Sequence, residues 1–190
     1  MKQRRSVYLD IVKGLLIIMV VLAHCIQFGS GRMSYDEMRC LSDPVFKWIY
    51  GFHMPLFMLV NGYLFWGSVS RHTIGKMVRS RLEKLLIPLI SWQSIYLAIL
   101  LLLGEISLTA WLLYSYPGAL WFVWSVLVSS ALVLAVHVLA KDAWWVFVAV
   151  WVMLLFVPAN WLSGLHVFMY PYFVTGYLLN KWRGSRVYNQ

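Results

Sequence analysis

Residues 8–25 read YLDIVKGLLIIMVVLAHC, with Asp10 and Lys13 ahead of an apolar run and His24 closing it. About twenty mostly apolar residues cross the roughly 30 Å of bilayer hydrocarbon, so the stretch predicts a transmembrane helix from about Val7 to Phe28. Lys13 and His24 are eleven residues apart, which comes within roughly 20° of three full turns and rises about 16 Å. They therefore share a helix face, and Asp10, one turn before Lys13, is placed to pair with it at i,i+3. An ionisable group at mid-membrane costs about 3 kcal/mol or more and normally faces a bundle interior or a wet cavity. Against a working site stands a plainer account, in which Lys13 snorkels to the interface and His24 gives one hydrogen bond to a neighbouring helix.

The rest of the chain is of the same kind. Of its 190 residues 62% are hydrophobic and 12% charged, against roughly a quarter charged in soluble domains. Further apolar spans are expected at about Val45–Trp66, Leu85–Leu103, Ala119–Ala140, Ala143–Val157 and Leu165–Leu179, which makes an all-α polytopic membrane bundle of about six helices. The net charge of +9 sits in short blocks between spans, a pattern of membrane topology and not of nucleic-acid binding. Lys2, Arg4 and Arg5, the block from Arg71 to Lys84, Lys141, and Lys181, Arg183 and Arg186 fall on one side, which predicts that both termini are cytoplasmic. Trp111, Tyr114, Tyr116, Trp161 and Tyr172 lie near span ends as interfacial anchors. Cys25 and Cys40 have no metal-ligand spacing and receive no role, and the bulky His24 before Cys25 argues against cleavage of the first span as a signal peptide.

The second span, GFHMPLFMLVNGYLF (residues 51–65), carries its own polar groups. Pro55 breaks the helix ladder, Gly51 and Gly62 permit close backbone approach, and His53 and Asn61, eight apart, are expected nearly on one face. His53 is the stronger site candidate, since Asn61 also suits plain helix association. His137 and His166 lack such neighbours on their own helices and read as packing histidines. RSRLEKLLIP (residues 79–88) gathers cations at the inner membrane surface before a helix that Pro88 bends, either as a topology signal or as a seat for a phosphorylated cofactor such as coenzyme A.

Taken together, YLDIVKGLLIIMVVLAH, FHMPLFMLVNGYLF and RSRLEKLLIP resemble the membrane acyltransferase 3 family, in its sugar O-acetylase branch similar to fucose 4-O-acetylase. LWFVWSVL and YPYFVTGYLL are weaker signatures, and Asn61 and Lys13 stand where serine and arginine are usual. The resemblance implies one membrane domain over residues 1–190, the N-terminal part of a longer family fold, in a bacterial cytoplasmic membrane. It further implies acetyl-CoA as cytoplasmic acyl donor, no metal, and a carbohydrate acceptor, either a glycan or a lipid-linked sugar. By the same resemblance His24 is general base or acyl relay, Lys13 oriented by Asp10 stabilises negative charge on the donor or its thioester oxygen, and Arg81 and Lys84 face the coenzyme A phosphates. His53, with Asn61, lines the acceptor pocket, and a partner subunit or a second copy completes the bundle. Two rivals remain: a small multi-span transporter or assembly subunit that uses the intramembrane His and Lys for proton or substrate passage, and an inactive acetylase fragment.

Overall fold

A computed structural model describes residues 7–29, 43–104, 107, 120–157 and 164–188. They form α1 (Val7–Gly29), α2 (Pro44–Val69), α3 (Ile74–Arg81), a π-helical turn (Leu82–Leu86), α4 (Ile87–Leu102), α5 (Trp121–Ala140), α6 (Trp144–Leu155) and α7 (Gly164–Tyr188), with no strand among the described residues. The chain is an all-α membrane protein. Cys40, Trp111, Tyr114, Tyr116 and Trp161 lie outside the described residues, and Tyr172 is half-buried against Phe168.

Local chemistry sets several boundaries. Asp43 caps α2 by accepting the Phe46 N–H at 2.9 Å, with Pro44 at the first helical position, where a missing N–H is harmless. Pro88 has no N–H for the carbonyl one turn back, and just before it the Ile87 N–H reaches five residues back to the Leu82 carbonyl. The ladder is thus re-routed through a π turn, and Ile74–Leu102 runs on as one long helical stretch. α5 ends in a left-handed turn at Lys141 (φ 49°) and Asp142 (φ 62°), with the Lys141 N–H on the Val136 carbonyl.

The core is built around α2 and α7. They cross at two glycines: a Cβ on Gly62 would lie 1.9 Å from the Phe173 carbonyl oxygen, and one on Gly176 would lie 1.9 Å from that of Leu59. Met58, Phe65, Tyr170, Phe173 and Tyr177 fill the space around the crossing, and α5 supplies Val126, Val133 and Val136. α1 joins from the side through Ala23, which packs on Phe46 and Ile49 of α2. Gly51, expected to allow a close approach, has no atom near its Cβ position; Gly62 alone of that pair does so.

Among the described residues three helical stretches are long and apolar enough to cross a membrane: Val7–Gln27, Ile74–Leu102 and Trp121–Ala140, with Trp144–Leu155 a shorter apolar helix. α2 and α7 have the length, 26 and 25 residues, but are less apolar along their course, each with a proline inside it. These are the two helices that bury most of their surface in protein, so they need less apolar character than a helix facing lipid.

Candidate functional site

Among the described residues polar groups gather in several places. At one end of the bundle, α2, the loop after it and the α3–π segment enclose a cavity of about 390 Å³. Its lining includes Lys76, Arg81, Lys84 and His72, with the hydroxyls of Ser68 and Ser80 and an apolar back wall of Phe65, Met77 and Leu85. The two cations singled out in the sequence therefore share one space with a third, Lys76, and with His72, neither of which stood out from a block of charges. The π turn contributes to this. Lys76, Ser80 and Lys84 repeat every four residues, a spacing that drifts about 40° per step in an α-helix, and the wider π turn offsets that drift. Arg81 lies over the Phe65 ring, its Cζ 4.7 Å from the centroid.

About 18 Å away along α2, the packing of α1 on α2 brings two histidines together. His24 is exposed on α1, and His53 is buried on α2 at 1% exposure, the two near enough for charge on one to act on the other. His53 Nδ1 is 2.6 Å from the Ile49 carbonyl, which can only accept, so Nδ1 carries the proton and Nε2 is the accepting nitrogen of the neutral ring. Lys13 Nζ is 3.0 Å from Asp10 Oδ1, with both side chains about a third exposed, as the i,i+3 spacing predicted. Asn61 is not in line with His53: eight residues come to about 80° past two turns, and its amide Nδ2 donates at 2.9 Å to the Phe57 carbonyl of its own helix.

Two further clusters were not legible as sites. His137 Nδ1 donates to Asp142 Oδ2 at 2.9 Å, Lys181 Nζ reaches the same oxygen at 2.7 Å, and the Tyr177 hydroxyl donates to Oδ1 at 2.9 Å. Burial pushes the Asp142 carboxyl up, but the hydrogen bonds from Lys181, His137 and Tyr177 outweigh it and leave the group below its ordinary value. The second cluster is buried between α5 and α7, where Ser125 Oγ is 2.6 Å from His166 Nδ1 and 3.1 Å from the Trp121 carbonyl. A carbonyl only accepts, so the serine proton goes to Trp121 and the imidazole donates to Ser125. That direction is opposite to the one an activated nucleophile needs. Both histidines join helices, as their reading from sequence had it, His166 through Ser125 on α5 and His137 through Asp142 in the following turn and Tyr177 on α7. Among the described residues no three His, Cys, Asp or Glu side chains gather as a metal site.

Comparison with known proteins gives consistent matches. The model of an acyltransferase domain family, acyltransferase 3, matches residues 6–186. The chain is 37% identical over 183 residues to the nodulation protein NolL of Sinorhizobium fredii (strain NBRC 101917 / NGR234), covering 92% of this chain and 48% of the relative. With the nodulation protein NolL of Mesorhizobium japonicum (strain LMG 29417 / CECT 9101 / MAFF 303099) it shares 30% identity over 181 residues, with the same coverage. The chain thus spans about half the length of these curated relatives. No solved structure matches it.

Proposed function

Because the chain belongs to the acyltransferase 3 family, whose model covers residues 6–186, we propose that it serves transfer of an acetyl group from acetyl-CoA to a hydroxyl of a cell-surface or lipid-linked carbohydrate. The observation that carries this reading is the cavity holding Lys76, Arg81, Lys84 and His72. Clustered cations and hydroxyls at a membrane surface suit the phosphates of a nucleotide-bearing donor, with the arginine as a planar fork and the lysines as point charges. In this reading residues 1–190 act as one membrane domain in a bacterial cytoplasmic membrane, with the N-terminus and the cavity on the cytoplasmic side.

Transfer then takes place near His24. The acceptor hydroxyl gives its proton to the imidazole and its oxygen bonds to the thioester carbonyl carbon. The carbon–sulfur bond breaks, and the leaving thiolate takes the proton back. His53 lines the acceptor side, its Nε2 able to accept a hydrogen bond from a second hydroxyl. Lys13 is about 16 Å of helix rise from His24, too far to touch the same reacting carbonyl. Its ammonium, oriented by Asp10, is assigned to the charge of the donor on its way to the site. Asn61, bonded to its own helix, is the weakest of the acceptor candidates.

The test is transfer itself. Membranes containing the chain are given labelled acetyl-CoA with bacterial surface polysaccharide or its lipid-linked precursor, and native protein is compared with His24→Ala at equal amounts. Label on the glycan with the native chain alone is expected. Retained transfer in the variant removes His24 from the chemistry, and no transfer by well-expressed native protein overturns activity of this chain by itself.

A further inference from the structure

We propose that Phe65 is a positioning residue for the acyl donor, its ring holding the Arg81 guanidinium flat against the cavity wall while Tyr177, tied to Asp142, holds the ring in turn. The inference rests on the donor seat described above and extends it from the cations to the aromatic wall behind Arg81 and to the residues that hold that wall. Arg81 Cζ is 4.7 Å from the Phe65 centroid, and Phe65 forms part of the cavity wall while only 1% exposed. A guanidinium lying over a ring keeps its N–H directions fixed, whereas an arginine in open solvent must give up several rotors to bind a phosphate. Lys84, exposed in the same cavity, is given no such backing by an aromatic ring.

The ring is held from behind. Phe65 meets Tyr177 at 6.2 Å and Phe173 at 5.6 Å between centroids, both tilted, and Tyr177 is fully buried against Trp66 at 5.3 Å. The Tyr177 hydroxyl donates to Asp142 at 2.9 Å, and the same carboxylate holds Lys181 and His137. A continuous series of contacts therefore runs from the α5–α6 turn through Tyr177 and Phe65 to Arg81. The Asp142 cluster lies outside the cavity lining, and this series of contacts joins it to the Arg81 side of the cavity.

Coenzyme A is titrated into the full chain in detergent, and donor KM and kcat are measured in membranes. Phe65→Leu and Arg81→Lys are each expected to weaken coenzyme A binding about three- to tenfold and to raise KM, with kcat within twofold of native. The double variant is expected to bind no worse than the weaker single one, because each change removes the same stacked arrangement. Additive losses, or native affinity in Phe65→Leu, overturn the proposal. Should Phe65→Leu fail to fold, Tyr177→Phe takes its place. It keeps the ring and removes only the hydroxyl, with its contacts to Asp142 and His137, and its loss of affinity must vanish when Arg81 is already alanine; a loss that persists overturns the positioning role. Absence of coenzyme A binding by the native chain overturns the donor seat itself, a result distinct from a seat that binds without Phe65.

Discussion

His53 and Asp142 show how far a single side chain's role depends on its partners. His53 has its tautomer set by its own helix through the Ile49 carbonyl, while His24 on the neighbouring helix is exposed. His53→Ala is therefore expected to raise the acceptor KM by about tenfold while retaining measurable kcat, whereas His24→Ala removes kcat; initial rates against acceptor concentration separate the two. Asp142 is depressed below its ordinary value near 3.8, so its contribution to stability is complete above that value and is lost as pH falls through the lower folded one. Thermal melting of native protein should fall below about pH 4, and Asp142→Asn should be less stable at pH 7 by roughly 1.5–3 kcal/mol, the worth of a hydrogen bond to a charged group. Its stability should also change less with pH in the acid range. None of this was legible in sequence: Tyr177 and Lys181 lie 35 and 39 residues from Asp142, and no spacing rule joins a turn aspartate to a helix that far along the chain. Lys13 with Asp10 was legible because both partners lie on one helical turn.

Between elements, the crossing of α2 and α7 is the tightest constraint. The obstructing atoms at Gly62 and Gly176 are backbone carbonyls, which cannot swing aside as a side chain can. Gly62→Ala or Gly176→Ala should cost at least the 1–3 kcal/mol or so typical of overpacking and reduce the monodisperse fraction in size-exclusion chromatography. Gly51→Ala and Gly75→Ala, with nothing near either Cβ position, should be neutral or stabilising by up to about 1 kcal/mol. Apolar runs and Pro55 made the helices readable, but which glycine meets a backbone depends on the partner helix, and Gly51 and Gly62 look alike in sequence. The π turn was similarly hidden. Pro88 marked a disturbed hydrogen-bond ladder, and the helix takes up the missing hydrogen bond by widening before it.

At the scale of the whole molecule, α1 stands at the edge of the bundle, and the charged pair and His24 on it are partly or largely open. Groups of this kind are costly against lipid, so on the proposed reading another unit, a second copy or a partner subunit, covers that face. Native mass spectrometry from mild detergent should then find a species heavier than the 22.1 kDa of one chain, and a single-chain mass throughout would remove the idea. Helices at the expected positions were readable from their apolar runs, and three described stretches are long and apolar enough to cross a membrane, while α2 and α7 are less apolar and pack most closely on each other. The rigid crossing of those two helices has a consequence for substrate choice. His53 and Phe65 are twelve residues apart on α2, so the cation-lined cavity and His53 are separated by a ruler of about 18 Å of helix. A donor whose reactive carbonyl hangs on a long arm can span that gap; one whose acyl group sits directly on its phosphate cannot. On the proposed reading acetyl phosphate should accordingly compete for the seat without giving up its acetyl group, so that reach decides which activated acetate is used.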